Sequence, residues 1–145
     1  MWWAAPRAAL VACATVLLVG CGVRGNGPEP LPLDRVDCAR CGMLISSDAN
    51  AAEVIVPGAG TRFYDDIGCM AGDPAAMRAG VERFVRLADG TGWIPADAAY
   101  FAASTAATPM AHGLVAFASA GDAGAVDRDA RPRRWDEVVR MAGDR

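Results

Sequence analysis

The sequence predicts a small α+β fold standing behind an export signal and a tether. Three observations carry this expectation: a β-hairpin pattern after residue 52, short strand-like runs interleaved with helical patterns beyond it, and an amphipathic helix at the C-terminal end.

The N-terminal stretch 1–20 reads as a signal peptide. One early cation, Arg7, precedes an apolar run from Ala8 to Val19. That run is roughly a dozen residues, short of the ~20 that span a bilayer. It ends in Leu18-Val19-Gly20-Cys21, the small-residue-then-cysteine junction of a bacterial lipoprotein, so Cys21 is the expected lipidation site. Residues 21–36, rich in Gly and Pro and without apolar periodicity, read as a flexible tether. The expected location is therefore extracytoplasmic, with a lipid holding the protein to a membrane.

The folded region divides into two expected lobes, 37–90 and 91–145. In the first, Glu53 to Val56 and Thr61 to Tyr64 are β-favouring runs around Pro57-Gly58-Ala59-Gly60, hence a hairpin. A helix is then expected from Asp73 as N-cap and Pro74 at its first position, with Ala76, Met77, Val81, Phe84 and Val85 at helical spacing. In the second, a strand near Trp93 precedes a region that buries Ala98, Ala99 and Phe101. Gly113 to Ser119 reads as a strand, and Asp122 marks a short helix. The last helix offers Trp135, Val138, Val139 and Met141 to the core. The halves echo each other faintly: Met43 follows Gly42, and Met110 follows Pro109, each just before an apolar segment.

The charge balance narrows the function. The net charge is -3, all fourteen basic residues are Arg, and no basic patch stands out, which argues against a nucleic-acid partner. Of five cysteines, Cys13 leaves with the signal and Cys21 takes the lipid. Cys38, Cys41 and Cys69 remain, an odd number in an oxidising compartment.

An unpaired exported thiol calls for a chemical reason. Soft donors past the tether include Cys38, Cys41, Cys69, Met43, Met70, Met110 and the single histidine, His112. Four of them fall in the tripeptides Cys41-Gly42-Met43 and Met110-Ala111-His112. Thiolate with thioether is a donor set that selects Cu(I). Each residue also has a plainer reading. The Cys38-x-x-Cys41 pair fits a disulfide or a redox couple, methionine fits core filler, a lone loop histidine fits a solvated one, and Asp65-Asp66 fits a turn and helix start.

Four segments in order, "DCARCGMLISSDANAAEVI", "RFYDDIGCM", "GWIPADAAYF" and "TPMAHGLVAFAS", resemble the NosL family of accessory lipoproteins associated with nitrous oxide reductase. The resemblance runs from Asp37 to about Val139. It implies a periplasmic, membrane-tethered protein, not an enzyme, that binds Cu(I) and passes it to a cuproenzyme assembly system. It also implies two small ββαβ lobes like those of organomercurial lyase. Position by position, Cys41 stands where the family has its key thiolate, Met110 its thioether ligand, and Met43 the methionine of the triplet. Cys38, His112 and Cys69 are the further candidate ligands. Three other readings stay open on the sequence. They are a thiol-disulfide redox protein using Cys38 and Cys41, a zinc-stabilised module with Cys38, Cys41, Cys69 and His112, and an organomercurial lyase.

Overall fold

A computed structural model describes residues 27–143. The expected signal, Cys13 and the expected lipidation site Cys21 lie outside the described residues. Among the described residues the fold is mixed, with two small antiparallel sheets and three α-helices, compatible with the α+β expectation.

Strand β1 (Ala52–Val56) turns through Gly58 and Gly60, both at positive φ, into β2 (Gly60–Tyr64). Their register pairs Glu53 with Phe63 and Val54 with Arg62, so the expected hairpin is present. Helix α1 (Ile67–Ala71) follows at once, with Asp66 as its N-cap. All five of its residues are buried.

The helix expected from Asp73 ends after one 3-10 turn, Pro74–Met77. Asp73 does cap it, accepting the Ala75 N–H at 2.8 Å. Beyond it Gly80 sits at φ +77, a left-handed conformation that no α-helix continues through. The rest of that sequence becomes β3 (Glu82–Arg86), which adds to the free edge of β1 with Val85 opposite Ala52. The apolar spacing at Val81, Val85 and Phe84 suited a helix locally. The unfilled backbone donors and acceptors of β1 decided for strand. Strand β4 (Trp93–Pro95) completes the sheet order β2-β1-β3-β4.

The second sheet is β5 (Tyr100–Ala103) against β6 (Leu114–Phe117), with Phe101 opposite Ala116. Within 93–101 the buried residues are Ala96, Ala99 and Phe101, while Ala98 is exposed, unlike the expectation. Helix α2 (Ala120–Val126) begins at Ser119, whose hydroxyl accepts the Asp122 N–H at 3.1 Å. Helix α3 (Trp135–Gly143) buries Trp135 and Val138, while Val139 and Met141, also offered to the core by its pattern, are half-buried.

The two sheets meet where Ala88 donates its N–H to the Ala116 carbonyl at 2.9 Å. One apolar cluster then spans both halves of the chain: Tyr64, Ile67, Met70 and Val85 with Phe101, Leu114, Trp135 and Val138. The Phe101 and Trp135 rings stand 5.9 Å apart in a tilted pair, a geometry that adds to their buried area.

The segment read as tether joins the fold from Glu29 onward. Glu29 donates its N–H to Glu53 at 2.8 Å, Leu31 and Val36 pack on the core, and Ile45 donates to the Val36 carbonyl. Gly and Pro gave that stretch a linker's composition. Leu31 and Val36 bury apolar area on the domain all the same.

Candidate metal centre

The Cys38-x-x-Cys41 loop is closed by its own backbone. Asp37 and Leu44 bridge across its base, Cys38 donates its N–H to the Met43 carbonyl at 2.7 Å, and Gly42 donates to the Cys38 carbonyl at 3.0 Å. Gly42 takes φ +75, the bend that a glycine between Cys41 and Met43 allows. The backbone amides of Cys41, Arg40 and Asp65 favour the Cys38 thiolate, and that of Met43 favours the Cys41 thiolate. Amide dipoles aimed at sulfur stabilise thiolate over thiol.

The third thiol comes from elsewhere in the fold. Cys69 sits in the middle of α1, and Asp65 lies at the end of β2 just before that helix. One donor atom each from Cys38, Cys41, Asp65 and Cys69 lies within 4.8 Å of all the others. The Cys41 sulfur is 3.5 and 3.6 Å from the two Asp65 carboxylate oxygens. A tetrahedral ion with ~2.3 Å bonds to sulfur needs its donors about 3.8 Å apart, so a small contraction of this group would enclose one. All three cysteines are free.

The thiols differ in character. Cys38 is held below the ordinary thiol range, chiefly by the hydrogen bond from Cys69, against the opposing effect of burial and with help from backbone N–H groups. Cys69 is pushed far up by that same bond, then by burial and by the charges of Cys38 and Asp65. Cys41 is raised by burial first, despite the Met43 N–H, and also by Cys38 and Asp65. Adding a cation reverses these charge effects, because thiolates and a carboxylate that repel one another attract a common ion.

The sequence candidates therefore divide. Cys38, Cys41 and Cys69 come together. Met70 is fully buried in the core, its plainer reading. Met43 and Met110 are 46% and 38% exposed. Met43 is joined to the site through the Cys38 loop, and Met110 through its N–H, which Asp66 accepts at 3.1 Å. His112 stands outside the four-residue group, with Nδ1 3.3 Å from Asp66 Oδ1. The fourth place that the zinc reading gave to His112 belongs to Asp65.

Asp65 is the residue that sequence reasoning passes over as a turn feature. Its only local signal is adjacency to Cys69 in Asp65-Asp66-Ile67-Gly68-Cys69. That the Cys38 loop folds over it depends on the Ala39 N–H, which donates to the Phe63 carbonyl on β2 at 2.8 Å.

No protein-family model and no curated protein matches the chain.

Proposed function

We propose that this protein is a lipid-anchored, extracytoplasmic carrier of Cu(I), serving a cuproenzyme assembly system such as that of nitrous oxide reductase. The observation that carries the reading is the convergence of three free thiols with Asp65 inside 4.8 Å. Thiolate donors favour a soft, thiophilic ion, and thioethers from Met43 and Met110, which the family resemblance matches to ligand positions, would extend the set toward Cu(I) rather than zinc. The resemblance of the Cys-Gly-Met and Asp-Asp-Ile-Gly-Cys segments to the NosL family supports the same cargo.

The exposure pattern suits a carrier. Cys38 and Cys69 are buried and hold the ion from the protein side, whereas Cys41, Met43 and Met110 are open to solvent to different degrees. A partner's sulfur would enter from the open side and replace ligands one at a time. Thioethers suit that exchange because they bind without taking up or releasing a proton.

The same pattern disfavours a thiol-disulfide exchanger. Such a protein needs its low-pKa sulfur at the surface. Here the lowered thiol, Cys38, is 3% exposed, and the more accessible Cys41 is raised.

Zinc is the second reading, favoured by Asp65, since three thiolates with a carboxylate oxygen form an ordinary tetrahedral zinc set. Anaerobic titration of the reduced protein with Cu(I) and Zn(II), each against chelators of graded strength, separates the two. The carrier reading expects Cu(I) to displace Zn(II) at equal concentrations and to protect all three thiols from alkylation. Retention of Zn(II) in the presence of Cu(I) would establish the zinc module instead.

A further inference from the structure

One buried carboxylate ties the thiol cluster to the loop that carries Met110. Asp66 is fully buried, and it is the residue between Asp65 and the helix that presents Cys69. Its Oδ1 accepts the Gly68 N–H at 2.7 Å and lies 3.3 Å from His112 Nδ1. Its Oδ2 accepts the Met110 N–H at 3.1 Å. Capping α1 requires only the first of these contacts. The other two reach across forty-four and forty-six positions of sequence to a loop of the second sheet.

That loop holds a conformation it would not choose alone. Ala111, between the two residues that meet Asp66, sits at φ +56, where a residue with a β-carbon incurs about 1 kcal/mol or more of strain. Thr108 supports the turn: its carbonyl accepts the Ala111 N–H at 2.9 Å and its hydroxyl accepts the Gly113 N–H at 3.1 Å. The left-handed residue lets the Met110 amide and the His112 ring meet one carboxylate. The ring in turn lies so close to the Gly68 backbone that a β-carbon there would stand 2.1 Å from Nδ1. Glycine at position 68 is what admits it.

We propose that Asp66 is the positioning residue of the metal site: it fixes the Met110 loop beside the thiol cluster, so that the thioether is delivered to the ion in place. His112, through Nδ1, acts as its second clamp. This rests on the copper reading above, and extends it to how the ligands from the two sheets are assembled.

The test uses the full chain, reduced and anaerobic, with Cu(I) affinity read by chelator competition. Asp66→Ser keeps an N-cap oxygen for Gly68 but is too short for Met110, and Asp66→Asn keeps the length but puts an amide where one acceptor stood. Each is expected to weaken Cu(I) binding at least ~tenfold, about 1.4 kcal/mol, as much as losing the thioether itself. The decisive comparison is Met110→Leu in both backgrounds. It should cost at least ~tenfold in the native chain and almost nothing once Asp66 is replaced, because the thioether is already out of position. A full Met110→Leu loss on top of Asp66→Ser or Asp66→Asn would overturn the proposal. Should either variant fail to fold, the Met110 methyl resonance of the native chain decides. It should shift on loading with Ag(I), a stand-in for Cu(I), and an unmoved resonance would overturn the proposal. If Cys41→Ser abolishes Cu(I) binding while Met110→Leu leaves it unchanged, the carrier stands and the positioning role falls. If Cys41→Ser also leaves it unchanged, the carrier reading itself fails.

Discussion

Glu53→Gln should make the protein more stable above neutral pH while leaving it little changed in mild acid. Glu53 lies on β1, the strand paired on both edges, and its residue surface is fully buried. One carboxylate oxygen accepts the Glu29 N–H at 2.8 Å, and the other has no hydrogen-bond partner among the described residues. Burial pushes its pKa up to about 7 from 4.5, opposed by the Glu29 N–H and assisted by the Glu29 charge. For an acid whose folded pKa is raised, the native state binds more protons than the unfolded one across that window. Stability is therefore highest below about 4.5, falls as pH rises toward 7, and is flat beyond. At ~1.4 kcal/mol per pH unit, the loss across the window is about 3 kcal/mol. Glutamine removes that loss, at about 1 kcal/mol for seating an amide in a site built for a carboxyl. A gain of about 2 kcal/mol at pH 8 and none at pH 5 is the expectation, read by urea denaturation of metal-free, reduced protein. The difference between variant and native chain cancels the thiols' own titration. Parallel stability-pH curves for the two proteins would refute the reasoning, and would mean that Glu53 ionises freely in the folded state.

Three further outcomes are expected. Cys38→Ser and Cys41→Ser should each weaken Cu(I) at least ~tenfold in competition titrations, since both sulfurs belong to the four-residue group. A loss at position 41 alone would take Cys38 out of the ligand set. Asp127→Ala should destabilise the protein by about 3 kcal/mol in chemical denaturation, because it leaves the buried Arg133 without its main partner and the Ala103 N–H without its acceptor. A change below ~1 kcal/mol would show that Asp129 or solvent replaces it. Cys21→Ala should abolish incorporation of labelled fatty acid, and continued labelling would move the lipid to another residue.

Local chemistry made much of this protein legible. The hairpin at 52–64 follows from two β-favouring runs around a glycine turn, and α3 from the spacing of Trp135 and Val138. The bend at Gly42, φ +75, is likewise a local matter, because glycine takes that conformation without steric cost. The Cys38–Cys41 side of the site was equally visible, because a three-residue separation leaves the chain few ways to keep the sulfurs far from each other.

What tertiary structure decided lies wherever a segment's partner is far off in sequence. Residues 82–86 satisfy a helical pattern and yet form a strand, because β1 offers an edge whose hydrogen bonds must go somewhere. Residues 29–36 have the composition of a linker and yet pack on the sheet, because Leu31 and Val36 find apolar surface there. Asp65 joined the cluster only when β2 brought it under the cysteine loop, and His112 lies outside that group, with its Nδ1 on Asp66. Residue type and spacing state which donors a chain owns. Which of them share one ion's volume depends on backbone pairings tens of residues apart, and those are settled by the packing of the whole domain.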